Sequence, residues 1–186
     1  MKRPVFGFLL LSLLISCNTF QLTTGKTNSL TASGQTDLLT AINTFRNTNT
    51  ECTQNGIKTT YTPGTLAPYT WNSKLETAAL SHANFLEQHN TNISVDDPHD
   101  GAGDANVGTR VSAAGFVWTV IGENIGAGQL TTPALIEAFR TSNNGHCNNL
   151  MDNQYTQVGA ALVTDTDAVG VKKYDNYWVL DFGKSN

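Results

Sequence analysis

Apolar side chains recur at helical spacing in three stretches of this chain. In residues 37–47 they fall on one face of a helix. A second stretch begins at Ser73, which forms a capping-box pattern with Glu76, and a third begins at Thr132, which is followed by Pro133 at the first helical position. We therefore predict three longer helices. Their buried stripes contain Leu38, Leu39, Ile42 and Phe45, then Leu75, Ala78, Ala79, His82, Phe85 and Leu86, and finally Leu135, Ile136 and Phe139.

The strand pattern is concentrated in the second half of the chain. Residues 116–125 are rich in β-branched and aromatic side chains, and residues 158–164 and 177–182 are apolar or alternating. Residues 47–69 and 90–108 are polar and are predicted to be long loops. Because the helices come first and the strands come late, the pattern favours an α+β fold with an antiparallel sheet covered by helices. Short helical turns are predicted at residues 111–114 and 146–152.

The N-terminal segment has the pattern of an export signal. Lys2 and Arg3 precede an apolar run that is too short to span a membrane comfortably, and Leu14-Ile15-Ser16-Cys17 is a lipobox. We predict a signal peptide over residues 1–16, lipid on the thiol of Cys17, a flexible Thr-, Ser- and Asn-rich tether over residues 17–35 and one domain over residues 36–186. The alternative is an ordinary secretory signal with an incidental cysteine.

Composition limits the partners of the exported chain. The full chain of 186 residues has a net charge of −4, and this becomes about −6 when Lys2 and Arg3 are removed with the signal peptide. An acidic chain lacks the basic surface that phosphate binding requires, so we expect no nucleic acid partner. Membrane contact is expected through the lipid on Cys17, at the bacterial cell envelope and facing the periplasm or the exterior.

Two cysteines remain after export, Cys52 and Cys147. Outside the cytoplasm an even pair most simply forms one disulfide, which here closes a loop of about 95 residues and contributes about 4–5 kcal/mol. The alternative is a pair of free buried thiols.

Three polar residues are candidates for a site. Glu123 lies in the segment Gly122-Glu123-Asn124-Ile125, His146 follows the third helix beside a cysteine, and His99 lies in the second polar loop. These three residues are far apart in the sequence, so they can form one site only if the fold brings them together. His82, in contrast, lies on the apolar stripe of its helix and is predicted to be a histidine of the core.

The order of motifs resembles the bacterial branch of the CAP superfamily, also called the SCP domain, which includes cysteine-rich secretory proteins, antigen-five allergens and plant pathogenesis-related proteins. The resemblance covers roughly residues 37–183. The matching pieces are residues 43–46, Leu66-Ala67-Pro68-Tyr69-Thr70-Trp71-Asn72, Leu75, Ala78 and Ala79, residues 99–101, Arg110, residues 114–116, residues 122–125, Phe139 and Ser142, residues 145–146, residues 158–159, and residues 177–178 and 182–183.

The resemblance implies a three-layer α-β-α sandwich with a small central antiparallel sheet. It also implies a cleft in which two histidines and two acidic residues gather, at His99, Glu123 and His146, while Ser142 occupies the position of the second acid. Two histidines and one carboxylate can hold zinc with an open position, so His99, Glu123 and His146 are the candidate metal ligands. Ser142 is a poor general base.

Three functions are compatible with these features. The first is a non-enzymatic module, expected to be a monomer, that binds a lipid, another envelope ligand or a protein partner. The second is a zinc-assisted hydrolase of the peptidase type that activates water at the cleft. The third is a purely structural envelope protein. The incomplete acid set favours the first.

Overall fold

A computed structural model describes residues 29–101, 105–168 and 170–186 of the chain. The predicted signal peptide, the lipidated Cys17 and most of the tether lie outside the described residues. Among the residues that are described, no helix is long and apolar enough to cross a membrane. The elements are α1 (Ala32–Arg46), β1 (Thr50–Gln54), β2 (Ile57–Tyr61), β3 (Thr70–Trp71), α2 (Ser73–Gln88), α3 (Val107–Ala113), β4 (Trp118–Ala127), α4 (Thr132–Thr141), α5 (His146–Met151), β5 (Gln157–Thr164) and β6 (Asn176–Ser185).

A four-stranded sheet in the order β3-β5-β6-β4 forms the middle layer. Strand β6 pairs antiparallel with both β4 and β5, whereas the two residues of β3 pair parallel with β5. Helices pack on both faces of the sheet, which confirms the predicted α+β class and the three-layer sandwich. Strand β6 is buried over its first eight residues because neighbouring strands and both helical layers cover it.

Alternation along β6 divides the interior into two halves. Tyr177 and Val179 face α2 and pack with apolar residues of that helix. Trp178, Leu180 and Phe182 face the opposite layer, which consists of α1, α4 and α5. The sheet therefore carries a core on each side, and consecutive residues of one strand contribute to different cores.

The starts of the helices differ from the sequence prediction. Helix α2 is capped by Asn72, whose side chain accepts from the backbone N–H groups of Lys74 and Leu75, and not by Ser73. Glu76 does not close a capping box, because its carboxylate instead accepts from Trp71 Nε1 at 2.9 Å and from Gln35 Nε2 at 2.7 Å. These two bonds join the start of α2 to β3 and to α1, a tertiary role that local pattern cannot reveal.

Three further boundaries also shift. The cap of α4 is Thr131 and not Thr132. Helix α1 begins at Ala32, inside the predicted tether, where the side chain of Thr31 caps it. Helix α3 begins at Val107, earlier than the predicted turn, because the side chain of Asn106 accepts from Thr109 and starts the helix.

A β-hairpin occupies the first predicted loop. Strands β1 and β2 pair antiparallel around Asn55 and Gly56, which have φ angles of 51° and 78°. An Asn-Gly pair with two positive φ angles is typical of a type I′ hairpin turn. The prediction of an extended loop over residues 47–69 was therefore wrong for the hairpin, and Asn55-Gly56 was the sequence signal for it.

The predicted disulfide between Cys52 and Cys147 is confirmed. It joins the hairpin strand β1 to helix α5 with a Cα–Cα distance of 5.4 Å, and both cysteines are fully buried. The backbone N–H of Asn55 also donates to the carbonyl of Asn143 at 3.3 Å. The hairpin is thus fixed against the segment that carries His146.

Replacing both cysteines, Cys52→Ala with Cys147→Ala, is expected to lower the free energy of unfolding by about 2–5 kcal/mol, because the unfolded chain regains the entropy of an open loop. Urea denaturation measures the change. Wild-type protein under reducing conditions should lose a similar amount, while the double variant should not respond to the reductant. Equal midpoints for oxidised wild type and double variant would contradict the prediction.

Candidate functional site

Strand β4 presents adjacent polar residues to opposite faces of the sheet. Glu123 points toward the α2 layer, and Asn124 points toward α5, where its side chain donates to the carbonyl of His146 at 3.0 Å. Gly122 and Gly126 share the face of Asn124, and an added Cβ would collide with Tyr155 at Gly122 and with Leu135 at Gly126. The glycines therefore let Tyr155 and helix α4 approach β4 closely around the two polar residues.

Glu123 is buried and bound on both carboxylate oxygens. His99 Nδ1 lies 2.9 Å from Oε1, and Arg110 Nη2 donates to Oε2 at 2.6 Å. Because a carboxylate accepts, the hydrogen of the neutral His99 ring is on Nδ1, and Nε2 carries the free lone pair. The structure thus joins two of the predicted site residues, His99 and Glu123, in direct contact.

Arg110 and His82 hold the loop that carries His99. Arg110 Nη1 donates to the carbonyls of His99, at 2.9 Å, and of Ala105. His82 Nε2 donates to the carbonyl of Pro98 at 2.7 Å. His82 is fully buried, as predicted for a core histidine, although its Nδ1 has no hydrogen-bond partner among the described residues. A short helix and a long helix therefore fix the position of His99 through its backbone.

Asp181 lies directly across from Glu123. The two residues are paired in the register of β4 and β6, and Asp181 is fully buried. In the described part of the chain, no N–H group donates to either oxygen of Asp181. A buried carboxyl group without such donors is more stable in its neutral form, so Asp181 is expected to retain its proton.

The pKa values of these two acids shift in opposite directions. Burial raises the pKa of Asp181 well above its ordinary value, and the adjacent charge of Glu123 raises it further. Burial opposes the charged form of Glu123 too, but the hydrogen bond from His99 and the positive charge of Arg110 outweigh it and lower the pKa of Glu123. Asp181 is therefore the protonated member of the pair, and Glu123 is the ionised one.

His146 begins helix α5, and amide side chains fix that helix to β4. Asn149 donates to the side chain of Asn124 at 2.9 Å and to the carbonyl of Glu123 at 3.2 Å. The His146 ring packs edge-on against Phe139, with the ring centroids 5.1 Å apart. Burial lowers the pKa of His146 to about 4, so the ring is neutral at physiological pH.

Ser142 ends helix α4 and makes a local contact. Its Oγ accepts from the backbone N–H of Asn144 at 3.1 Å. No hydrogen bond among the described residues joins Ser142 to His99, Glu123 or His146. Its hydroxyl shapes the turn before α5, and its place in the cleft stays a prediction.

The predicted zinc ligands do not fit a three-ligand site as they are arranged. Within the described ranges, no three His, Cys, Asp or Glu side chains lie together in a group that could hold a metal ion. Both oxygens of Glu123 are already bound by Arg110 and His99, and no hydrogen bond within these ranges joins the His146 ring to Glu123. We therefore derive no chemical step through a metal, and the metal hypothesis stays a prediction.

Sequence reasoning missed the roles of Asp181 and Arg110. Asp181 is a charged residue in an otherwise apolar strand, at a position that alternation assigns to the interior, and this pattern is itself a signal of a buried carboxyl group. Arg110 was identified from the resemblance, but nothing in its sequence neighbourhood specifies Glu123 as its partner.

The imidazole titrations should separate the two candidate histidines. The hydrogen bond to Glu123 raises the pKa of His99 above its ordinary value, whereas the pKa of His146 is expected to be about 4. NMR titration of the ring resonances measures both. Glu123→Gln should lower the pKa of His99 toward its ordinary value and should not lower that of His146, which serves as the internal control. A His99 ring that titrates below about 6.5 in wild type would contradict the contact with Glu123.

Asp181→Asn should remove a pH dependence of stability. Because the pKa of Asp181 is raised in the folded state, its contribution is complete below about pH 4 and is lost as pH rises toward the folded pKa. In that window the free energy of unfolding of wild type should fall by about 1.4 kcal/mol per pH unit relative to Asp181→Asn, because asparagine imitates the neutral acid.

The pH series is measured by urea denaturation. Asp37→Asn, a substitution of an exposed aspartate on α1, is the control and should keep the wild-type slope. Parallel curves for wild type and Asp181→Asn from pH 4 to pH 9 would show that Asp181 is ionised in the fold.

Solved structures share the fold at low sequence identity. An outer surface protein of Borrelia burgdorferi matches with a TM-score of 0.61 and 16% identity, over 81% of this chain and 92% of that protein. A cysteine-rich secretory protein of Staphylococcus aureus matches with a TM-score of 0.52 and 17% identity, over 88% of this chain and 40% of that one.

An extracellular protein of Bacillus anthracis that contains an SCP domain matches with a TM-score of 0.51 and 22% identity, over 64% of this chain and 35% of that one. This chain thus spans about a third of the Bacillus protein. A search of curated proteins finds no match.

The family profile gives the assignment. The profile described as CAP, the cysteine-rich secretory protein family, matches residues 39–182. The match includes all of the sheet except the last three residues of β6, together with the Glu123 cluster and the disulfide. The chain belongs to the CAP, or cysteine-rich secretory protein, family.

Proposed function

We propose that this protein is a non-enzymatic binding module of the bacterial cell envelope, exported and held to a membrane by lipid on Cys17. The basic start, the apolar run and the lipobox support export and lipidation. Membership of a family described as secretory, and similarity to proteins described as extracellular or outer surface, agree with this location.

The observation that carries the proposal is the state of the Glu123 carboxylate. It accepts from Arg110 and from His99, one on each oxygen, and it lies beside Asp181, whose pKa is raised well above its ordinary value. A carboxylate with this many donors and a lowered pKa is a weak base for activating water. Ser142, which stands where the family resemblance implies a second acid, cannot replace it. Ligand binding therefore agrees with the site better than hydrolysis does.

The cluster still offers groups for recognition. The side chain of His99 is 47% exposed, and its hydrogen bond to Glu123 uses Nδ1, which leaves Nε2 for a ligand. His146 is neutral and half-buried beside Phe139. Two imidazole rings and an aromatic ring suit a ligand that combines polar groups with an apolar surface.

The zinc-assisted hydrolase stays the second candidate because of one observation. Glu123 fixes the tautomer of His99 and leaves Nε2 outward, which is how a carboxylate orients a histidine that binds metal. This arrangement gives Glu123 the role of an outer partner of His99, so that His99 and His146 would need a third ligand from substrate, water or a partner.

Mass spectrometry of the full chain, expressed with its own signal in a bacterial host, tests the proposal. We expect a membrane-bound product whose N-terminal residue is a lipid-modified Cys17. Cys17→Ala should lack the lipid mass and should leave the membrane fraction. An unmodified Cys17 in a chain cleaved elsewhere would support an ordinary secretory signal and contradict the anchor.

The same material, measured by native mass spectrometry, distinguishes the functions. A non-covalent organic adduct without metal is expected for the binding module. A metal adduct that disappears in both His99→Ala and His146→Ala would overturn the proposal in favour of the metalloenzyme. Exposed His89→Ala, at the C-terminal end of α2, is the matched control and should leave any adduct unchanged.

A further inference from the structure

A groove of about 500 Å³ lies between the β1–β2 hairpin and the C-terminal end of α5. Its size falls within the range of small-molecule sites, about 300–1,000 Å³. The structure describes every residue that lines it. His99, Glu123 and His146 do not line it, so the groove is distinct from the candidate site.

The hairpin wall of the groove is fixed to α5 and to the segment before it. Cys52 of β1 forms the disulfide with Cys147 of α5, and Gln54 forms an antiparallel β-bridge with Asn144. The register of the hairpin puts Gln54 and Tyr61 on the same face as the buried Cys52. Their side chains therefore lie on the face of the hairpin that is turned toward the rest of the domain.

The opposite wall, at the end of α5, is fixed by two buried side chains. Arg46 Nη1 donates to the carbonyls of Leu150, at 2.6 Å, and of Asp152, at 3.0 Å. The Tyr69 hydroxyl donates to the carbonyls of Asn149, at 3.0 Å, and of Asp152, at 2.7 Å. The last carbonyl groups of the helix are thus already bound from inside the domain. Both walls are preorganised, which reduces the ordering cost of binding a ligand.

Three polar side chains of the groove are accessible and not engaged by the protein. Gln54 and Asn153 are exposed, and Tyr61 is half-buried. None of the three side chains makes a hydrogen bond with another described residue. A primary amide presents two donors and an acceptor, and a tyrosine hydroxyl can do either. The groove therefore offers several hydrogen-bonding groups to a ligand.

The charge and the polarity of the lining limit the kind of ligand. Among the described residues, the one charged side chain of the lining is that of Asp152, so an anion would be repelled. Burial raises the pKa of Tyr61, and the charge of Asp152 raises it further, so the hydroxyl keeps its proton. Apolar side chains come only from Leu66 and Met151, besides the ring of Tyr61. A ligand with a large apolar body would leave the amides unpaired.

A sugar ring combines the groups that this lining complements. Its neighbouring hydroxyl groups each donate and accept, as the amides of Gln54 and Asn153 do. Hydroxyl groups also donate to a carboxylate, which Asp152 supplies. The C–H face of a pyranose ring is apolar and flat, and it packs on an aromatic ring such as that of Tyr61.

We propose that the groove between the hairpin and α5 binds a neutral oligosaccharide, whose hydroxyl groups bond to Gln54, Asn153 and the carboxylate of Asp152 and whose ring packs on Tyr61. This inference rests on the proposed binding function and gives it a second location and a ligand class.

Cellotriose, maltotriose and triacetylchitotriose are the probes, and the blocked peptide N-acetyl-trialanine amide is the comparison. NMR titration of the isotope-labelled full chain follows the backbone amides and the side-chain amides of Gln54 and Asn153. At least one trisaccharide should shift the signals of residues 54–66 and 148–153, and the peptide should not. If no trisaccharide shifts these signals, the proposal is wrong. If the peptide alone does so, the groove is a peptide site and the proposal is wrong as well.

Variants test the location. Tyr61→Leu should weaken saccharide binding about tenfold because the stacking surface is lost, whereas Tyr61→Phe keeps the ring and should lose at most about fivefold. Asn153→Ala should weaken binding about fivefold, the effect of one neutral hydrogen bond. Because Asn153 is exposed and its side chain is not engaged, this variant tests the groove even where Tyr61→Leu disturbs the hairpin.

Gln154→Ala is the matched control. This residue follows Asn153 and is exposed, but it does not line the groove, so the variant should bind as wild type does. Unchanged affinity in both Tyr61→Leu and Asn153→Ala would show that the saccharide binds elsewhere and would overturn the assignment.

The outcomes separate this inference from the proposed function. If no trisaccharide binds while the exported chain carries an organic adduct, the groove proposal is wrong and the binding function stands. If neither an adduct nor saccharide binding is found, both are wrong.

Discussion

The ion pair between Glu123 and Arg110 is the constraint on which the site depends. Both side chains are buried, and an uncompensated charge in such a place costs several kcal/mol. Arg110 neutralises Glu123 with one nitrogen and holds the carbonyls of His99 and Ala105 with another. The charge that β4 places inside the sandwich therefore determines the position of the loop around His99, whose described residues form no helix or strand.

The balance of charged groups in this interior explains why Asp181 is protonated. Two carboxyl groups, Glu123 and Asp181, face one permanent cation, Arg110. Ionisation of both acids would leave one negative charge without a partner in a region that water does not reach. Retention of a proton by Asp181 resolves the imbalance. The cluster is thus built to keep one carboxylate ionised and fully bound, an arrangement that suits positioning of His99 better than proton transfer.

The sequence predicts those parts of the fold in which one face of an element is buried. Periodicity identifies α1, α2 and α4, and alternation identifies the three long strands, because burial repeats along each element. The caps at Asn72 and Thr131 lie one residue earlier than predicted, since neighbouring Ser, Thr and Asn residues offer almost equal local signals. Family resemblance supplies His99 and Glu123 as neighbours. The Glu123–Asp181 contact depends on the register of β4 and β6, which no local pattern records.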